Sequence, residues 1–80
     1  MATYRVSRAS DHSWFEDDPI RIEADSLSAA KRKAYALRED GMNIYLADAK
    51  GTIMFVRRWL QCIDSRFNRF GRWESVAPAF

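Results

Sequence analysis

One stretch of this chain repeats with the period of an α-helix, and runs that alternate with the period of a β-strand flank it on both sides. Leu27, Ala30, Ala34 and Leu37 recur at i, i+3, i+7 and i+10, which places them on one helical stripe and leaves Arg32 and Ala36 pointing away. Asp25 or Ser26 can accept a hydrogen bond from the free amides of the first turn, so either can serve as the N-cap. Gly41 follows the last turn and can take the left-handed conformation that closes a helix. Ahead of the helix, Tyr4 and Val6 alternate with Arg5 and Ser7 in a first strand from Thr3 to Arg8. The segment from Ala9 to Pro19 is rich in acids and turn formers and reads as a loop. Ile20, Ile22 and Ala24 then alternate with Arg21 and Glu23 in a second strand. Behind the helix, Asn43 to Ala47 and Thr52 to Arg58 form a hairpin through Asp48, Ala49, Lys50 and Gly51. The pattern loosens from Leu60 to Phe70 and recovers from Arg72 to Val76, where Trp73 and Ser75 share a face. The order ββαβββ predicts an α+β fold, a single helix packed across one face of an antiparallel sheet of about five strands.

Length allows one domain, residues 1–80, because a chain of 80 residues sits near the lower limit for an autonomous core. A content of 48% hydrophobic and 14% aromatic residues, with two prolines and three glycines, excludes a disordered chain. The longest apolar run, Ile53 to Val56, is far short of the roughly 20 residues that span a bilayer. The N-terminus lacks the basic-then-apolar pattern of a signal peptide, so a cytoplasmic protein with no membrane contact is expected. Cys62 is the only cysteine, which rules out an intrachain disulfide or a paired-cysteine metal knuckle and fits a reducing compartment. Small size and exposed strand edges allow a homodimer.

Catalysis finds no home in the sequence. His12, the one histidine, lies in the acidic loop near Glu16, Asp17 and Asp18, a set that can ligate a divalent metal but more often makes a solvated connection. Nothing orients His12 as a base towards Cys62. The glycines stand apart at 41, 51 and 71, so no phosphate-binding glycine loop exists. The chain is therefore expected to be no enzyme and to carry neither cofactor nor metal.

Charge distribution points elsewhere. The formal charge is only +2, from ten arginines and three lysines, but residues 50–80 carry six basic side chains against Asp64 and Glu74 alone. From Arg66 to Trp73, arginines and aromatics interleave at Arg66, Phe67, Arg69, Phe70, Arg72 and Trp73, and Arg57, Arg58 and Trp59 precede them. Interleaved guanidinium groups and aromatic faces serve single-stranded nucleic-acid binders and protein-interface hot spots alike. The plainer account makes Phe67, Phe70 and Trp73 core residues with solvated arginines around them. On the helix, Lys31, Tyr35 and Arg38 at i, i+4 and i+7 line a stripe beside the core face, and Arg32 points outward. That cationic edge is either a solvated face or a patch for phosphate or an acidic groove.

The run from Ile22 to Ala34, a strand passing into a helix, resembles the strand-to-helix entry of small phage-encoded anti-CRISPR proteins that inhibit type I-F surveillance complexes. The resemblance continues loosely through Asn43 to Val56 and reaches Gly71, Arg72 and Trp73, similar to a Gly-Lys-Arg-Trp stretch of that family. It covers about half of the chain and implies a curved antiparallel sheet with one helix. It also implies an inhibitor that sits on the Cas7-like backbone subunits of a type I CRISPR-Cas effector complex and blocks target DNA. Lys31 and, next to it, Arg32 match positions through which some members contact DNA. The expected binding residues are Lys31, Arg32, Tyr35 and Arg38 on the helix, with Arg57, Arg58, Trp59, Arg66, Arg69 and Arg72 behind it. The rival expectation is a small phage nucleic-acid-binding protein that uses the arginine and aromatic surface directly.

Overall fold

A computed structural model describes residues 1–9 and 19–76. The acidic stretch 10–18, with the His12 ligand set inside it, lies outside the described residues. Five strands and one helix follow in the order β1 Ala2–Ala9, β2 Ile20–Ala24, α1 Leu27–Ala36, β3 Asn43–Asp48, β4 Ile53–Leu60 and β5 Arg69–Ser75, with a short 3-10 turn at Ser65–Phe67. All neighbouring strands pair antiparallel in the order β2-β1-β3-β4-β5. The sheet is open and only slightly curled. It consists of two local units, the β1/β2 pair and the β3-β4-β5 meander, joined where β1 pairs with β3 from Tyr4 opposite Asp48 to Ala9 opposite Asn43.

The helix connects the two units by crossing over β1. Its N-cap is Ser26, whose hydroxyl accepts the Ala29 N–H at 3.1 Å, satisfying one of the free amides of the first turn. Ala30 and Ala34 are fully buried and pack with Val6, Ala24, Ile44 and Leu46, the centre of the core. Methyl groups at this contact let the helix sit close to the sheet. Leu37, the last residue of the expected stripe, caps the helix C-terminus and is half-buried, and Leu27 is exposed at the other end. Arg8 reaches across from β1, donating to the Leu37 carbonyl at 3.4 Å and pairing with Glu39 at 3.6 Å, so a cation meets the negative end of the helix. Lys33 donates to the Glu23 carbonyl at 2.5 Å and ties the helix to β2.

Gly41 departs from expectation. It is left-handed, with φ of 89°, but it belongs to the turn in which Met42 N–H donates to the Glu39 carbonyl at 3.1 Å. The helix itself ends earlier, where the amides of Leu37 and Arg38 donate to the carbonyls of Ala34 and Tyr35 in tightened i to i−3 bonds. The fifth strand also starts earlier than its alternation suggested, at Arg69, because it pairs with the end of β4 at Trp59 and Leu60. Two register shifts interrupt the meander, one between Leu46 and Ala47 and one between Arg57 and Trp59. Such bulges bend a strand and re-aim its side chains.

Candidate functional site

Because α1 packs chiefly over β2 and β3, only its side chains reach over the helix-side surface of β4 and β5. The result is a cleft of about 300 Å³ with the helix as one wall and the sheet as floor. Ser28, Lys31, Arg32 and Tyr35 form the wall, an arrangement that follows from their i, i+3, i+4 and i+7 spacing on one helix side. Arg57 and Trp73 form the floor, where they are direct cross-strand partners. Phe55 lies nearby on β4, half-buried against the core.

Tyr35 is the hub of the cleft. The Arg57 guanidinium lies 3.9 Å from its ring centroid and that of Arg38 lies 4.4 Å from it. Phe70 meets the same ring edge-on at 5.6 Å, and Trp59 meets Phe70 edge-on at 5.0 Å. Lys31 Nζ sits 4.1 Å from the Phe55 ring centroid. These cation–π contacts hold the cations in place without neutralising them. Arg57 is fixed further because its Nε donates to the Gly71 carbonyl at 2.5 Å, which leaves its terminal N–H groups for a ligand.

The ion pairs of the described residues lie elsewhere. Arg8 pairs with Glu39, Arg21 with Glu23, Arg58 with Glu74 at 3.4 Å and Arg66 with Asp64 at 2.7 Å. Among the described residues, no carboxylate pairs with Lys31, Arg32, Arg38 or Arg57. Among the described residues, the cleft thus gathers positive charge that no carboxylate pairs, in a chain of modest net charge.

Of the ten residues expected to bind, five gather here: Lys31, Arg32, Tyr35 and Arg57 line or floor the cleft, and Arg38 stacks on Tyr35. Trp59 stands at its end through Phe70, its backbone N–H donating to Asn43 Oδ1 at 2.9 Å. Arg58 neighbours Arg57 on β4 and turns to the opposite sheet face, where Glu74 holds it. Arg72 alternates with Trp73 and likewise turns away from the cleft. Arg69 lies exposed opposite Leu60 at the end of the sheet, and Arg66 is in the loop before it. The basic helix edge and the arginine/aromatic segment therefore share a surface only in part.

Trp73, Phe55 and Phe70 complete the site and were absent from the expected set. Phe70 and Trp73 do pack on the core, as the plainer account proposed, whereas Phe67 stands 61% exposed. Asp64 accepts both a fork from Arg66 and the Arg66 backbone N–H, and the guanidinium first, then the amide, hold its carboxyl below the usual value of 3.8. The Arg66 guanidinium is pushed up by the same bond. Among the described residues, no three His, Cys, Asp or Glu side chains gather as a metal site, and no helix is long and apolar enough to cross a membrane. Compared with protein-family models, curated proteins and solved structures, the chain matches none.

Proposed function

We propose that the protein acts by binding rather than by catalysis, and that the cleft between α1 and the β4/β5 floor takes a phosphate-bearing strand of nucleic acid. The observation that carries this reading is that Lys31, Arg32 and Arg57 line one cleft with Tyr35, on whose ring Arg57 and Arg38 stack, and that no carboxylate among the described residues pairs with any of the four cations. Stacked guanidinium groups are suited to phosphate oxygens because their planar fork keeps its N–H donors free at the edge. Tyr35 and Phe55 already carry cations on their rings, so Trp73 is the cleft aromatic left to stack on a base. The test is fluorescence anisotropy with labelled oligothymidine and with duplex DNA of equal length, over a salt series. Charge reversal at Arg57 should abolish binding and reversal at Arg58 should leave it within about twofold, since Arg58 lies on the other face. Equal effects of the two, or no binding at low salt, would discard the reading.

A second reading is inhibition of a type I CRISPR-Cas effector complex through its Cas7-like subunits, with the protein lying where target DNA should run. Two observations support it. The segment of resemblance, Ile22 to Ala34, folds as an edge strand entering a Ser26-capped helix, and Lys31 and Arg32 of that segment line the cleft. Co-elution with purified type I-C, I-E and I-F effector complexes, followed by a target-DNA gel shift, tests it directly. Retention on one complex with loss of DNA capture would favour inhibition, and binding of bare DNA alone would favour the first reading.

A further inference from the structure

We infer that the cleft selects an unpaired base: it seats one nucleotide of a single strand, with the base flat on Trp73 and the flanking phosphates on Lys31 and Arg57. The inference rests on the nucleic-acid reading of the cleft and narrows it to single strands. Trp73 carries it. The residue lines the cleft floor and packs on the core, half-buried. Among the described residues, no cation and no other ring stacks on it. Its indole N–H has no hydrogen-bond partner among them either, and it is not buried. An indole so placed spends its inner face on the core and leaves a ring surface and a donor for a ligand.

The cations are spaced to match. Lys31 Nζ lies over Phe55, and the Arg57 guanidinium lies over Tyr35 beside Trp73, its cross-strand partner. Phe55 and Arg57 are two residues apart on β4, and Lys31 and Tyr35 are one turn apart on α1. A strand advances about 3.4 Å per residue and a helix about 1.5 Å, so both elements set the two anchor points about 6–7 Å apart. An extended single strand, whose phosphates lie further apart along its length than the roughly 3.4 Å step of a duplex, covers that spacing with one nucleotide. Arg32 and Arg38 remain for the strand outside this nucleotide.

Two other occupants fit less well. In a duplex each base has both faces covered by its neighbours, so only an unstacked base lies flat on a ring at the floor of a cleft. At about 300 Å³ the cleft is also at the lower end of small-ligand sites, with room for one nucleotide and none for a pair. An acidic peptide would satisfy the cations, because guanidinium forks take carboxylates as well as phosphates. It brings no flat group for Trp73.

The experiment uses the purified full chain and ligands that differ only in their bases. By anisotropy, oligothymidine should bind about tenfold tighter than an abasic oligomer of equal length, with a like salt slope, and about tenfold tighter than a duplex. In an NMR titration, thymidine bisphosphate, one base between two phosphates, should move the Trp73 indole N–H and the Arg57 Nε–H together. The abasic bisphosphate should move Arg57 alone. Trp73→Leu should bind the two oligomers alike, and Trp73→Phe, which keeps a ring, should restore part of the preference. The wild-type comparison decides the matter if either variant fails to fold. Equal binding of base-bearing and abasic strands, equal binding of duplex, or a Trp73 signal that thymidine bisphosphate leaves unmoved would overturn the inference while the phosphate reading stands. No binding of any strand at low salt, or competition by oligoglutamate as strong as by oligothymidine, would overturn both.

Discussion

Tyr35 carries one guanidinium at 3.9 Å and another at 4.4 Å, and a residue so placed works through its neighbours. Replacing Arg57 with lysine keeps the charge but cannot reproduce both the stacking on Tyr35 and the Nε bond to Gly71. Arg57→Lys should therefore lower oligonucleotide affinity several-fold and stability by about 1 kcal/mol, read by anisotropy and urea unfolding. Asp64 gives a second test at this scale. Its carboxyl titrates below 3.8 in the folded chain, so its bonds to Arg66 favour the folded loop above that pH and are lost as pH falls through the lowered value. An NMR titration of the Asp64 carboxyl should show the low midpoint, and Arg66→Gln should move it back towards 3.8. Individual residues were unevenly legible. Helical spacing placed Lys31, Tyr35 and Arg38 on one edge, but nothing in the run Arg57, Arg58 and Trp59 says which arginine shares their side. That is settled by the pairing of Arg57 with Trp73 and the shift just beyond it, a property of the sheet rather than of the segment.

Elements were more legible than side-chain directions because each rests on a local signal. The second strand, the Ser26 cap and the alanine stripe lie where periodicity and capping chemistry put them. The end of the helix was misread because Gly41 suits either a helix terminus or a turn, and tightened bonds at Leu37 stop the helix before the glycine is reached. The hairpin between β3 and β4 shows how a turn is set. Asp48 Oδ1 accepts the amides of Lys50 and Thr52 at 2.9 and 3.0 Å, and Gly51 takes a φ of 91°. Asp48→Ala should cost about 1–2 kcal/mol by leaving those amides to water. Gly51→Ala should cost about 1 kcal/mol, from backbone strain alone, since nothing lies within 4 Å of the added methyl. Chemical denaturation of the two variants measures both costs.

At the scale of the whole molecule, Val6, Ile44 and Leu46 are the largest fully buried side chains among the described residues. Leu46→Ala should cost about 2–5 kcal/mol, a large part of the roughly 5–15 kcal/mol typical of a domain, and should lower the melting temperature sharply in calorimetry. If the four unpaired cleft cations neutralise about four phosphates of a single strand, log K should fall against log salt with a slope of about −3. Strand order was beyond the sequence, because alternation identifies a strand without naming its neighbour. The order found has a consequence for how the chain matures. Strand β1 lies between β2 and β3, and its pairing with β3 joins residues some forty positions apart. The β1/β2 pair and the three-stranded meander can each begin locally, but the barrier to completing the domain lies in closing that seam beneath the helix. Substitutions along the β1/β3 seam should therefore slow refolding, whereas substitutions at the far edge of β5 should mainly hasten unfolding. Strand β1 is thus the element to which both the β2 edge and the meander must register for the sheet to be continuous.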